Sequence, residues 1–502
     1  MRKKKALYNL ITSIILQVVS ITCGLIVPRL FISTYGSEMN GLVNSITQFL
    51  AYIALLEAGF GPVVLSVLYK PIANKDKKRI EGILKYAESF FRKISLIFVI
   101  YIAALCFIYP IFIDNKFGTL FTISLIIIIS LSNFSEYFLG LTYSLYLQAD
   151  QRKYVISTIR FVTTIINTIV TCILIKNNCN VLIIKLVGTL ICILRPIIQY
   201  LYVKNKLKIN LKNVTEKEVL KERWDGLSQH IAGTVYSNTD VTLLSFFDKM
   251  SEVSVYSVYS LIITAIRNFI SILTGSVEAG FGDMIAREEK ENLNKKFNVY
   301  EFIYFSVITI IYSCTSILIV QFVKLYTEGI TDANYIRYSF AFVLVSAAFI
   351  HSIKSVYNTL AFSAGKFKET HIGSWVEAGA NFIISFALVF KLGITGVALG
   401  TLVSVSIRCI EFIIYTSKNV LNRSVKKTVF RVLISIIQYS IIYCIGMFVF
   451  EINPSSYMSW IYWGFVSVLV SLLVIVPVNA FVYKKEFKYL YKEVLKKIKK
   501  VV

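Results

Sequence analysis

Apolar residues in this chain gather in runs of hydrocarbon length, separated by short polar loops. A bilayer core takes about 20 apolar residues per helix. Fourteen runs meet that length: Leu10–Ile32, Leu42–Tyr69, Ile94–Ile113, Leu120–Leu147, Val155–Ile175, Val181–Val203, Leu227–Phe247, Val253–Phe281, Val299–Val323, Ile336–Phe362, Ile372–Phe390, Ile394–Tyr415, Val429–Phe450 and Trp460–Tyr483. The pattern predicts an all-α integral membrane protein of about 14 transmembrane helices. The first run follows Met1-Arg2-Lys3-Lys4-Lys5, as a signal peptide would. It is too long for one and no small-residue cleavage site follows, so it reads as the first membrane helix.

The loops orient the runs. Cytoplasmic loops are enriched in Lys and Arg, and here alternate loops are basic. Lys70, Lys75, Lys77, Lys78 and Arg79 follow the second run; Arg152 and Lys153 the fourth; Lys204, Lys206 and Lys208 the sixth; Arg287 and Lys290 the eighth; Lys366 and Lys368 the tenth; Lys418, Arg423, Lys426 and Lys427 the twelfth. The outer loops Ser33–Asn40 and Glu451–Met458 hold no Lys or Arg. Both termini are therefore expected in the cytoplasm.

Composition agrees. The 502 residues are 56% hydrophobic and 16% charged, with a net charge of +24. Soluble domains carry roughly 25% charged residues. A nucleic-acid binder places its cations on a folded polar face, whereas these flank apolar runs, so nucleic acid is excluded as a partner. The eight cysteines form no CxxC pair, so neither a metal site nor a disulfide framework is expected. No GxxxxGK[ST] stretch occurs, so the chain has no P-loop. No cofactor is expected.

The chain repeats itself. Phe31–Ile46 aligns with Phe246–Leu261 at a shift of 215 residues, and Gln148–Lys153 with Ser363–Lys368 at the same shift. Lys176 meets Lys391 there, and with a small gap Arg195 falls near Arg408. Duplication is the signature of a transporter, and six helices per copy give a parallel repeat. The expected domains are an N-lobe at 1–215 and a C-lobe at 216–427, pseudo-symmetric about a central cleft. An extra helix pair at 428–483 and a basic tail at 484–502 follow. Thr215-Glu216-Lys217-Glu218 has capping-box spacing for a short cytoplasmic helix, a solvated linker being the other reading. In the tail Phe487, Leu490, Tyr491, Val494, Leu495 and Ile498 share one helical face and lysines the other. Such a helix lies on anionic lipids, or docks on a protein partner.

Charges inside apolar runs are costly and mark candidate sites. Those deepest in their runs are Glu57, Glu136, Asp240, Arg267, His351 and Lys354; Arg29, Arg160, Lys185, Arg195, Glu377, Arg408 and Glu411 lie nearer the ends. Arg267 is either a phosphate ligand, through its bidentate fork, or one half of an ion pair with Glu57 or Asp240. Arg29 either contacts cargo or snorkels to the interface. His351 and Lys354 share a helix face, and in the repeat Glu136 stands opposite His351. Either His351 and Lys354 make a basic stripe, or the three make an interlobe salt bridge. For Arg160 and Glu377, snorkelling or mutual pairing is the simpler account. Glu57, Asp240 and Glu136 are coupling or ion-pair candidates.

Pro28-Arg29-Leu30-Phe31-Ile32-Ser33-Thr34-Tyr35-Gly36-Ser37-Glu38-Met39-Asn40-Gly41-Leu42 resembles the first-loop pattern of bacterial polysaccharide flippases. So do Leu55-Leu56-Glu57-Ala58-Gly59-Phe60-Gly61 and Leu68-Tyr69-Lys70-Pro71-Ile72-Ala73. These belong to the polysaccharide transporter branch of the multidrug/oligosaccharidyl-lipid/polysaccharide flippase superfamily. The resemblance implies a transporter, not an enzyme, in the bacterial plasma membrane. It would export undecaprenyl-pyrophosphate-linked oligosaccharide of the capsule, exopolysaccharide or O-antigen type by alternating access, alongside other polysaccharide assembly proteins. It also implies that Arg29, Glu57, Asp240 and Arg267 face the cleft, with Arg267, Arg29, Lys354 and His351 as the cations offered to cargo.

Three rival readings are weighed. A multidrug antiporter of the same superfamily relies on a buried acid in the first helix, where this chain has Gln17. A peptidoglycan lipid-precursor flippase is expected to carry more N-lobe arginines than Arg29 and Arg160. A membrane polymerase needs a large outer loop, and none is present.

Overall fold

The computed structural model describes residues 2–57, 59–113, 116–209, 211, 227–450, 452–484 and 486–487. The expected capping box at Thr215–Glu218 lies outside the described residues, as does the expected tail helix apart from Phe487. Among the described residues every regular element is helical. Hydrocarbon leaves backbone groups no water to bond, and a helix satisfies them within itself.

The helices are α1 (Arg2–Ala51), α2 (Ala54–Glu57), α3 (Phe60–Asn74), α4 (Lys77–Phe112), α5 (Thr119–Ser135), α6 (Leu141–Ala149), α7 (Lys153–Lys176), α8 (Val181–Leu201), α9 (Leu227–Phe247), α10 (Met250–Ala286), α11 (Lys290–Tyr326), α12 (Tyr338–Ser363), α13 (Phe367–Asn419), α14 (Val425–Phe448) and α15 (Tyr457–Val482). Eleven spans are long and apolar enough to cross a membrane, against fourteen runs in the sequence. The two longest, Leu7–Glu57 and Phe367–Asn419, each take up two sequence runs. Each contains a glycine with non-helical backbone, Gly36 (φ 86°) and Gly393 (φ 52°). The third difference is α9, which has the length but interrupts its apolar residues with polar ones such as His230, Asn238 and Asp240.

Contacts divide the chain into two units. One comprises Met1–Ser257 with Ile330–Ala333, the other Val258–Gly329 with Asn334–Val502. In the first unit Gly36 ends one arm of α1, and a side chain there would meet Asp332 Oδ2 at 3.0 Å. Asp332 accepts from the Ser37 amide at 2.6 Å and from its hydroxyl at 2.7 Å. It thereby caps the N-terminus of the second arm, where a carboxylate satisfies free amides and the helix dipole. That arm is joined to α9 and the start of α10 by neutral polar pairs. Asn40 donates to Ser254 at 2.7 Å, Asn44 to Ser257 at 3.2 Å, and Tyr52 pairs with Thr242 at 2.9 Å. Each such bond is worth about 0.6 kcal/mol in a bilayer. Gly41 sets the approach, because a Cβ there would collide with the Met250 carbonyl.

In the second unit α11 and α12 form the centre: 61% of each apolar stretch is buried, the highest share of any span. The last two helices pack on α11 through Ile317, Leu318, Ile442 and Ile475. A second cluster joins Phe302, Ile434 and Tyr483, with Phe487 against it.

Candidate functional site

Irregular helix at membrane depth is where transporters build their sites, because freed backbone and misaligned side chains face a cavity. The first unit has two such places, and they meet. The helical run stops at Tyr52, continues through α2, and restarts at Gly59 in the left-handed conformation (φ 76°). Glu57 ends α2. Between α5 and α6 the chain makes one turn of π-helix, Glu136–Gly140, a feature frequent at functional sites. Tyr137 of that turn lies beside Glu57.

Glu136 opens the same turn. Gly140 makes room for it, since a Cβ there would lie 2.9 Å from the Glu136 carboxylate. Glu136 Oε1 is buried without a hydrogen bond, 3.7 Å from Arg160 Nη2 on α7. Arg195 on α8 adds a second guanidinium, held by neutral groups: Thr163 Oγ1 at 2.8 Å and Thr164 Oγ1 at 3.1 Å. Asp240 is buried on α9 and accepts from the Tyr256 hydroxyl at 2.7 Å. Arg29 is half-buried on the first arm of α1, one residue past Pro28.

The second unit carries its own charge cluster, in which a base on α12 meets an acid on α13. Lys354 on α12 is buried and donates to Glu377 Oε1 at 2.5 Å. The other Glu377 oxygen faces Arg408 Nε at 3.8 Å. Arg408 is 2% exposed, bonds Glu411 at 2.6 Å and Ser374 at 2.9 Å, and lies 4.2 Å from the centre of the Phe412 ring. Gly373 is required by this pair, because a Cβ would overlap both Arg408 and Glu411. Beside the cluster, exposed Arg267 donates from Nη2 to His351 Nε2 at 2.8 Å. Among the described residues of its own unit no carboxylate lies within ion-pair distance of Arg267.

The structure thus gives partners the sequence did not. Within its own unit Arg267 pairs with His351. Arg160 pairs with Glu136 and Glu377 with Lys354, each inside its own unit. Lys354 is committed to a carboxylate, which leaves Arg267 as the exposed cation of the His351–Lys354 stripe. One network went unread. Glu301 on α11 is fully buried between Arg423 and Arg431 and accepts from Tyr357 at 2.6 Å. The available signal was an acid two residues inside the ninth run and a base two residues inside the thirteenth.

Lys354 and Glu377 permit a direct test. Lys354→Glu or Glu377→Lys places like charges together in a buried site, which costs roughly 3–5 kcal/mol. The double exchange is expected to recover part of the loss in melting temperature in detergent, since Arg408 stays beside position 377. A double variant melting no higher than the worse single one would refute the pairing.

An all-helical, multi-pass membrane protein with intramembrane charge clusters and broken helices is built as a transporter is built. Its fold matches that of solved membrane transporters. No protein-family model matches the sequence, and no curated protein matches it. Solved structures do. The lipid II flippase MurJ, in an inward closed conformation, superposes with a TM-score of 0.68 at 15% identity, covering 95% of this chain and 98% of that one. An inward-facing multidrug resistance transporter of the MATE family, of the MOP superfamily, gives 0.65 at 14% identity, covering 82% and 96%. A MOP superfamily transporter from Pyrococcus furiosus, described as having a binding pocket of reversed polarity, gives 0.59 at 15% identity, covering 84% and 97%.

Proposed function

We propose that this protein is a flippase that moves undecaprenyl-pyrophosphate-linked oligosaccharide from the inner to the outer leaflet of the bacterial plasma membrane by alternating access. The observation that carries the reading is Arg267. It is an intramembrane guanidinium, exposed, with a neutral imidazole as its partner. A charge so expensive to place in a membrane marks a substrate path, and a guanidinium fork matches phosphate oxygens. Arg29 is a second cation offered to the head group, and Glu57, Glu136 and Asp240 are candidates for coupling. The full-length match to a lipid flippase also supports the reading, since the multidrug transporter leaves 18% of this chain uncovered.

Energy is available without ATP. One charge crossing 100 mV is worth about 2.3 kcal/mol, so an anionic head group leaving a negative-inside cell is driven outward.

Cells lacking the protein are expected to accumulate undecaprenyl-pyrophosphate-linked glycan in the inner leaflet, and the wild-type gene to relieve it. Normal leaflet distribution with altered sensitivity to a cationic drug would overturn the proposal in favour of a multidrug antiporter. Accumulation confined to the peptidoglycan precursor would favour a lipid II flippase.

A further inference from the structure

The contact between Arg267 and His351 fixes a protonation state. A guanidinium has donors only and does not lose its proton in proteins. With Arg267 Nη2 2.8 Å from His351 Nε2, that ring nitrogen must accept. It therefore holds no proton, and the imidazole is neutral with its hydrogen on Nδ1.

Among the described residues of its own unit, no free anion stands beside the ring to change this. On α12 itself Lys354 follows one turn later, bound to Glu377 from α13. Arg408 from α13 faces the far oxygen of Glu377. From α11 the Tyr312 hydroxyl bonds Ser352 at 2.8 Å, and from α14 the Tyr439 hydroxyl bonds Ser346 at 3.0 Å. The carboxylate of the group is thus spent on Lys354 and Arg408. A second cation beside Arg267 would be repelled by Arg267 and Lys354 alike.

We infer that His351 is a proton-binding residue whose occupancy is linked to the anionic head group: the protein takes up a proton when a diphosphate docks on Arg267. A phosphate oxygen that accepts from the Arg267 fork takes the donor His351 was using and neutralises the charge beside it. The freed Nε2 lone pair then binds a proton from water, forming an N–H that donates to the diphosphate. No electrons change hands and no other bond is broken. When cargo leaves, the proton leaves and Arg267 reclaims Nε2. The unloaded site so presents one cation and the loaded site two. This rests on the flippase reading of Arg267.

Linkage gives the sign. A complex that binds one more proton than its parts forms more tightly as pH falls, by up to about tenfold per pH unit. Purified full-length protein in detergent is titrated with fluorescent farnesyl-diphosphate-N-acetylglucosamine, whose diphosphate diester does not titrate near neutrality. Affinity is expected to rise between about pH 8 and pH 6, the range of histidine. Mixing in weak buffer near neutrality is expected to take up about one proton per site. His351→Gln offers a neutral acceptor to Arg267 at every pH, so it is expected to bind with a flat pH profile. The wild-type proton uptake needs no variant and stands if His351→Gln fails to fold. Binding with no pH slope and no uptake overturns the inference and leaves the flippase standing, as does a slope retained in His351→Gln. No binding by the wild type at any pH removes the diphosphate reading itself.

Discussion

Arg267→Ala is expected to abolish most glycan export while leaving the protein folded. Losing a charged fork from a desolvated phosphate contact costs on the order of 3 kcal/mol, roughly a hundredfold in affinity. The fold should tolerate it because the partner left behind is a neutral imidazole, and no buried charge is orphaned. Cells complemented with Arg267→Ala should keep lipid-linked glycan in the inner leaflet at wild-type protein levels. Arg267→Lys should rescue in part, since a point charge attracts phosphate without the fork. Full rescue by Arg267→Ala would demote Arg267 to a structural charge and leave the flippase to rest on other residues.

Glu301→Gln should do the opposite, removing stability first. Arg423 grips Glu301 with both guanidinium nitrogens, at 2.6 and 3.0 Å, and Arg431 adds a third bond at 2.5 Å. Asn298 Oδ1 accepts from both arginines, and Arg431 also reaches Glu486 past the end of α15. This network joins α11 to α14 and α15, the pair outside the repeat. Neutralising its centre leaves two buried guanidiniums facing each other, a loss of roughly 3–5 kcal/mol. The melting temperature in detergent should fall well below that of Arg267→Ala. Equal melting of the two variants would show that the last helix pair is held by its apolar contacts alone.

The two variants separate two uses of intramembrane charge. Glu301 is enclosed and multiply bonded, which is how a membrane protein keeps a structural ion. Arg267 is open and held by one neutral acceptor, which is how it keeps one for use. The sequence did not distinguish them: Arg267 stood out by depth alone, and Glu301 was passed over because it lies near the end of its run.

Much of the fold was legible in the sequence. Runs of hydrocarbon length are a local property, and α9 ends at the residue that closes its run, Phe247. The cost of leaving backbone groups unpaired in lipid makes each run a helix whatever its neighbours are. Basic loops and the 215-residue repeat were likewise read from neighbouring letters and a fixed shift. The repeat even brought Glu136 and His351 to equivalent positions, and both prove to sit in charge clusters.

Tertiary structure decided which charge meets which. Lys354 and Glu377 are 23 residues apart on different helices, and Arg267 and His351 are 84 apart. Their pairing depends on the rotation and depth of each helix, which packing sets and hydropathy does not record. The π-turn at Glu136 and the break before Gly59 were also silent, because a helix with one misplaced hydrogen bond keeps the same apolar letters. The chain's own sequence thus determined that it is built of helices long and apolar enough to cross a membrane. Packing alone chose Arg267 as the exposed cation, by giving Glu377 to Lys354 and a neutral ring to Arg267.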